Sequence, residues 1–264
     1  MKKDELSKKC KKFEKHFNGK TFIPGMPLMA RLDGRSFHTF TKGLKRPFDE
    51  RMIECMKNTT QFLIKEFKAD LAYTQSDEIT LFWNTREESE IFFNGKMFKL
   101  NSVMAAACSV FFYKELLKHL PEKSDKVPVF DCRTWQVPSY TEVSDVFVWR
   151  QLDAVRNSIN SLAQSVFSHK ELQHKSKKTV LAMLDERKII WEDLPVGWQR
   201  GFYYHKISVE EVLDFTNRLD VPETERVMRD VIRRKITELD VPILSEDSDF
   251  IEILLKDKFN NETP

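Results

Sequence analysis

Residues 71–82 read LAYTQSDEITLF, two short apolar runs set on either side of Ser76-Asp77-Glu78. Runs at 69–75 and 79–83 have the length and composition of strands, so the polar triplet is a hairpin tip with Asp77 at the bend. Working outward toward the N-terminus, PLMARL (27–32) reads as a short buried strand that stops at the turn-prone pair Asp33-Gly34. Between these pieces Asp49 is placed to cap a helix over about 50–67, where Met52, Met56, Leu63 and Phe67 recur at helical spacing. Outward toward the C-terminus, Met97, Leu100, Met104, Ala107 and Phe111 mark a second helix over about 97–118, and VPVFDCRTWQV (127–137) another strand. The order is β-α-β-β-α-β, the ferredoxin-like split βαβ arrangement, which makes the fold class α+β.

That order places the first strand beside the hairpin at the centre of an antiparallel sheet. Asp33 then ends one strand, Asp77 sits at the bend between the next two, and both reach the same sheet edge. Two carboxylates with a backbone carbonyl from Asp33 or Gly34 form an all-oxygen site for hard cations. Mg²⁺ takes one or two carboxylates, waters and substrate phosphates. Two ions about 3.5–4 Å apart clamp the attacking and leaving oxygens of a phosphoryl or nucleotidyl transfer. A lone Asp-Gly is usually a turn and a lone Ser-Asp-Glu a hairpin tip; their joint placement is what points to a site.

The bulk properties bound the rest. With 264 residues, 41% hydrophobic and 32% charged, the chain is long enough for a substantial core and polar enough to be soluble. No apolar run approaches the roughly 18 residues of a membrane span. MKKDELSKKCKKFEKHF is basic without an apolar centre, so no secretory signal is expected. Cys10, Cys55, Cys108 and Cys132 are scattered with no CxxC pair, which predicts free thiols in a reducing cytoplasm. The net charge of +2 is uneven: residues 207–264 hold eight basic and fifteen acidic side chains, a balance of −7, leaving +9 on residues 1–206. A basic body fits a polyanionic partner, although ordinary solvated charge explains it as well.

RLDGRSFHTFTKGLKRPFDERM (31–52) together with YTQSDEITLFW (73–83) resembles the tRNA-histidine guanylyltransferase family, nearest its guanylyltransferase-like, tRNA 5′-end repair branch. FDCRTWQVPS (130–139), VFVWRQLDAVRNSIN (146–160), FSHKELQ (167–173) and DLPVGWQRGFYY (193–204) follow in the family's order, so the resemblance covers about 20–206. It implies a polymerase-palm-like catalytic domain that adds nucleotides in the 3′-to-5′ direction. It also implies two Mg²⁺ ions at Asp33, the Gly34 carbonyl and Asp77, and a homo-oligomer, a tetramer. ATP or GTP contacts are implied along Gly34, Arg35, Ser36, Phe37 and His38, around Lys45 and Arg46, and at Ser76 and Glu78. The residue types suit those roles. Backbone N–H groups after a glycine turn cradle phosphate oxygens, and Arg35, Lys45 and Arg46 neutralise a triphosphate. Phe37 or His38 is suited to stacking on a base, although Phe37 reads equally as a core aromatic. Two departures matter: LKRPFD (44–49) replaces the eukaryotic AKPND, and Val155 stands where those proteins carry a histidine. The second points away from strict histidine-tRNA reading and toward repair.

SHKELQHKSKKT (168–179) concentrates basic residues, and the resemblance assigns tRNA contacts to His169 and Lys170, with Arg150, Asn157 and Arg200 in other matching stretches. Lys175, Lys177 and Lys178 read equally as a solvated helix face, and His169 and His174 are spaced poorly for zinc. Trp135, Trp149, Trp191 and Trp198 are expected to pack. The expected organisation is a catalytic domain over 1–206 and an acidic helical extension over 207–264. The extension's helices are predicted from the capping-box pair Ser208 and Glu211 and from Pro222, Glu223 and Glu225 up to about Leu239. The function expected is an Mg²⁺-dependent reverse polymerase acting on tRNA 5′ ends through an adenylylated or guanylylated intermediate. A nucleotide cyclase or forward polymerase on the same palm, or a catalytically dead RNA-binding protein, are the alternatives.

Overall fold

In the computed structural model, residues 3–85, 92–214 and 228–260 are described. The elements run α1 (Lys3–Asn18), β1 (Leu28–Gly34), α2 (Phe37–Phe40), α3 (Glu50–Phe67), β2 (Leu71–Gln75), β3 (Glu78–Trp83) and α4 (Met97–His119). They continue with β4 (Phe130–Gln136), α5 (Tyr140–Val166), α6 (His169–Leu172), α7 (Lys177–Glu186), α8 (Val196–Arg200), β5 (Phe202–Asp214), β6 (Met228–Leu239) and α9 (Phe250–Asn260). Six antiparallel strands form one sheet in the order β4-β1-β3-β2-β5-β6. β1 lies between β3 and β4, with Asp33 opposite Glu78 on one side and Asp131 on the other.

The period-2 alternation of β1 sorts its side chains between two cores. Leu28, Ala30 and Leu32 enter one core with Ile79, Leu81 and Trp83, under α3 and α4. Met29 enters the other with Phe82, Tyr73 and Tyr203, under α5 and α9. The expected helices over 50–67 and 97–118 are α3 and α4. α3 buries Met52, Cys55, Met56, Thr59, Thr60, Leu63, Ile64 and Phe67, one continuous stripe. Asp49 is its N-cap, accepting from the Arg51 N–H at 3.1 Å, as the sequence predicts. The C-terminal half of α5 builds a third cluster with α7 and Trp191, whose Nε1 donates to Ser158 Oγ at 2.9 Å.

The extension departs from its expected helices. Residues 207–214 continue β5, and 228–239 are β6, its partner from Tyr203↔Leu239 to Asp214↔Met228. Ile207, Val209, Glu211 and Leu213 are half-buried while Ser208, Glu210 and Val212 are exposed, a strand pattern. The physical reason is that β5 is already paired to β2 through Phe202–His205, and pairing with the β-branched β6 extends that ladder past a local capping signal. The portion around Pro222, Glu223 and Glu225 lies outside the described residues. α9 then folds back, burying Ile251, Leu255 and Phe259 in the second core. The expected boundary after 206 therefore falls inside β5. Among the described residues, no helix is long and apolar enough to cross a membrane.

Candidate active site

α9 and the apolar side of α5 cover the second sheet face around Met29, and α5 reaches the Asp33 end of β1 through Arg150 on Glu78 and Trp149 beside Arg31. Arg31 and Asp33, on the same face, stay partly open. The Gly34 N–H donates to the Asp77 carbonyl at 3.1 Å, which joins the end of β1 to the β2–β3 turn and brings Asp33 and Asp77 to one corner. Glycine is required at 34, since a Cβ there would stand 2.4 Å from the Phe37 ring. Ser76 holds the turn with φ 52° and donates from Oγ to Asp77 Oδ1 at 3.0 Å. Burial pushes the Asp77 carboxyl up to about 6; the Ser76 bond pulls it down, and the negative charge of Asp33 raises it further. Among the described residues no basic side chain pairs with Asp77, and no group of three or more His, Cys, Asp or Glu side chains converges to hold a metal ion. The metal-capable set is the oxygen set of Asp33, Asp77 and a backbone carbonyl.

Beside these acids opens a cleft of about 660 Å³, lined by His38, Lys45, Arg46, Asp153, Asn157 and Trp198 among others. Lys45 and Arg46 are exposed at it, and neither side chain is ion-paired among the described residues. Their loop is anchored from below. Buried Asp49 accepts the Lys45 N–H at 3.1 Å and the Arg51 guanidinium at 3.0 and 2.9 Å, and Arg51 reaches Glu122 at 2.7 Å. The Arg51 hydrogen bonds hold the Asp49 carboxyl down at about 2. The far wall is α8 and the start of β5, where Phe48 packs on Trp198 with ring centroids 5.1 Å apart. Gly201, at φ 79°, lets the backbone pass Thr74 where a Cβ would stand 2.7 Å from its carbonyl oxygen.

Several expected site residues have other partners. Arg150 is buried, and its Nε and Nη2 each meet a Glu78 oxygen at 2.7 Å, with Asp153 at 3.1 Å. It is thus paired to the residue after Asp77, where the sequence suggests a tRNA contact, and it lines the cleft. Glu78, whose carboxylate is taken by that pairing, lines the cleft beside Asp77. Phe37 is buried against Phe40, Phe112 and Phe130, with centroids 4.8, 5.6 and 5.0 Å away, and is a core aromatic rather than a base platform. Arg200 pairs with Asp240 at 2.8 Å. Asn157 faces the cleft and donates to Asp153 at 3.3 Å. His169 and Lys170 are exposed on α6, whose N-terminus is closed by a Ser168–Glu171 capping box. Arg35 and Ser36 are exposed at the turn, and the Arg35 N–H donates to the Val129 carbonyl at 2.8 Å. Val155 is buried in the third cluster. Trp135 is half-buried, Trp191 buried and Trp198 packed, but Trp149 is 53% exposed, which corrects the expectation of packing there. Sequence reasoning missed the Arg150–Glu78 clamp and the Asp49–Arg51–Glu122 anchor, because partners 72 and 71 residues apart leave no local signal.

Comparison with known proteins gives the same direction. The family model "Thg1: tRNAHis guanylyltransferase" matches residues 7–138. The tRNA(His) guanylyltransferase of Debaryomyces hansenii is 31% identical over 61% of this chain and 62% of its own length. A bacterial tRNA(His) guanylyltransferase (Thg1)-like protein in complex with ATP superposes with a TM-score of 0.74 at 28% identity, over 94% of this chain and 97% of that one. The GTP complex of such a bacterial protein gives 0.68 at 27% identity, over 95% and 99%. With half of its length matched by the family model and a fold shared nearly end to end with those structures, this chain belongs to the tRNAHis guanylyltransferase family.

Proposed function

We propose that the chain is a 3′-to-5′ nucleotidyltransferase acting on the 5′ end of tRNA, with β1–β4 and their helices forming a polymerase-palm-like βαββαβ core. The observation that carries the reading is the meeting of Asp33 and Asp77 at one sheet corner beside the cleft that Lys45 and Arg46 rim. The donor set fits magnesium: two carboxylates and the Gly34 carbonyl, with Asp77 raised by burial and lacking a basic partner among the described residues. Two magnesium ions held there would supply the charge that acidifies an attacking hydroxyl and neutralises a leaving phosphate. ATP and GTP, which the bacterial relatives bind, are the nucleotides proposed for the cleft. Lys45 and Arg46 neutralise the triphosphate, His38 and Asn157 line the nucleoside side, and the Arg150–Glu78 clamp fixes the turn that carries Asp77.

In the first step an oxygen of the RNA 5′-monophosphate attacks the α-phosphorus of ATP or GTP, and pyrophosphate leaves. In the second, the 3′-hydroxyl of an incoming nucleoside triphosphate attacks the activated 5′-phosphorus, its proton passes to solvent, and AMP or GMP leaves. His169 and Lys170 lie beyond the end of α5, about 24 Å along the helix from Arg150, which suits the body of a tRNA rather than its terminus. Val155 buried in place of a histidine favours repair over histidine-tRNA reading, and pairing with the opposite base of the acceptor stem then selects the added nucleotide. Assembly as a tetramer and a cytoplasmic setting, which the four free thiols suit, complete the proposal.

The test supplies purified protein, Mg²⁺ and nucleoside triphosphates with tRNA lacking its first nucleotide, bearing a 5′-monophosphate or a 5′-triphosphate. The monophosphate RNA is expected to pass through a capped intermediate, whereas the triphosphate RNA needs only the incoming nucleotide. Growth at the 3′ end alone, nucleotide consumption without RNA, or RNA binding with no product from either substrate overturns the reading.

A further inference from the structure

The proposed reaction brings two substrates to one pair of carboxylates, and the cleft accounts for one approach. On α5, Arg150, Asp153, Ala154 and Asn157 line that cleft. Trp149 is about 100° around the helix from Arg150 and lies outside the lining. Its chain neighbours Val148 and Arg150 are buried, yet Trp149 is 53% exposed. Two guanidiniums hold the ring: Arg31 lies 5.2 Å and Arg150 4.6 Å from its centroid. Each ties it to one acid. Arg31 is two residues before Asp33 on the same face of β1, and Arg150 grips Glu78 beside Asp77. Arg133, the register partner of Arg31, brings Nη2 to 3.9 Å from Asp33. An indole steadied by cations, half open to solvent and next to the reacting corner offers exposed ring surface against which a terminal base can stack.

We propose that Trp149 is the stacking platform for the 5′-terminal base of the RNA, on the open sheet face outside the nucleotide cleft. This rests on the transferase reading above and names how its second substrate is seated. Stacking places the terminal base over α5, and its 5′-phosphate then reaches Asp33 past Arg31 and Arg133. The site is sequence-tolerant, because every base has a π-face.

The test uses the full chain with an acceptor-stem RNA carrying 2-aminopurine as its 5′-terminal base, titrated without nucleotide, and compares wild type, Trp149→Phe and Trp149→Leu. All three should melt in one cooperative transition, Trp149→Leu only a few degrees or so lower, because the ring is half exposed and loses no more than its contacts with Arg31 and Arg150. Wild type should quench the probe, Trp149→Phe should bind within about threefold of it, and Trp149→Leu should bind roughly tenfold more weakly with little quenching. In the addition assay the KM for RNA should rise for Trp149→Leu while the KM for ATP stays within about twofold. Equal affinity and quenching for the Phe and Leu variants, or a loss that falls on the KM for ATP, overturns the proposal. A wild type that quenches the probe but makes no 5′ product supports stacking while removing the transferase reading; an active wild type with no Phe–Leu difference does the reverse.

Discussion

At the scale of single residues, Arg150 and Glu78 illustrate why a buried ion pair matters more for position than for stability. Two charges taken out of water repay their desolvation only while both are present. Arg150→Met leaves Glu78 buried and unpaired, so thermal unfolding should show a loss of about 3–5 kcal/mol. The double variant Glu78→Leu/Arg150→Met should recover most of that stability and still add nucleotide slowly, because nothing then orients the Asp77 turn. Recovery of turnover along with stability would show the pair to be only structural. Asp49 is the other buried acid with a measurable signature. Its carboxyl sits at about 2, below the ordinary 3.8, so the ionised form is favoured by folding. That stability is present above pH 4 and is lost as pH falls through about 2. Asp49→Asn keeps one acceptor oxygen, enough for the Arg51 amide, but puts an NH2 donor where the other oxygen accepts the Lys45 amide, and it drops the charge. It should cost about 2 kcal/mol at pH 7, and in urea unfolding the gap from wild type should narrow by about half at pH 3. The same variant should raise the KM for nucleotide, because the Lys45–Arg46 loop hangs on this carboxylate.

At the scale of elements, α9 and the β5–β6 ribbon carry the largest difference between expectation and structure. A 58-residue acidic segment looks dispensable when its balance is −7 and its local signals are helical. Its end is instead part of the second core: Phe259 packs against Phe82 and Tyr140 at 6.2 and 6.0 Å between centroids. Phe259→Ala should therefore destabilise by about 3–5 kcal/mol in urea or thermal unfolding, a loss that cavity formation in a packed core produces. Deleting 241–264 removes Val241, Leu244, Ile251, Leu255 and Phe259 together and should abolish the cooperative transition. A truncated chain that melts sharply near the wild-type temperature would show the first core to be sufficient.

At the scale of the whole molecule, charge is expected to govern how the chain meets the RNA proposed for it. The +9 of residues 1–206 should make RNA affinity fall steeply with salt, since each phosphate contact releases counterions. Replacing Lys175, Lys177 and Lys178 with Gln should make the slope of log K against log salt shallower by roughly 2–3 if all three meet phosphates. An unchanged slope would make them ordinary solvated lysines. The sequence alone determined six elements, β1, α3, β2, β3, α4 and β4, the Asp49 cap, and the delivery of Asp33 and Asp77 to one sheet corner. Those features rest on the periods of strands and helices, on cap and turn chemistry, and on short connections between successive elements. Only the tertiary structure decided that Arg150 grips Glu78, that Phe37 belongs to the core, that Trp149 stands open between arginines, and that residues 207–214 and 228–239 pair as strands. Each of these depends on a partner distant in the chain, and a pairing across the fold overrides a local preference because the burial and hydrogen bonds it gains outweigh the few tenths of a kcal/mol, about, that separate one local conformation from another.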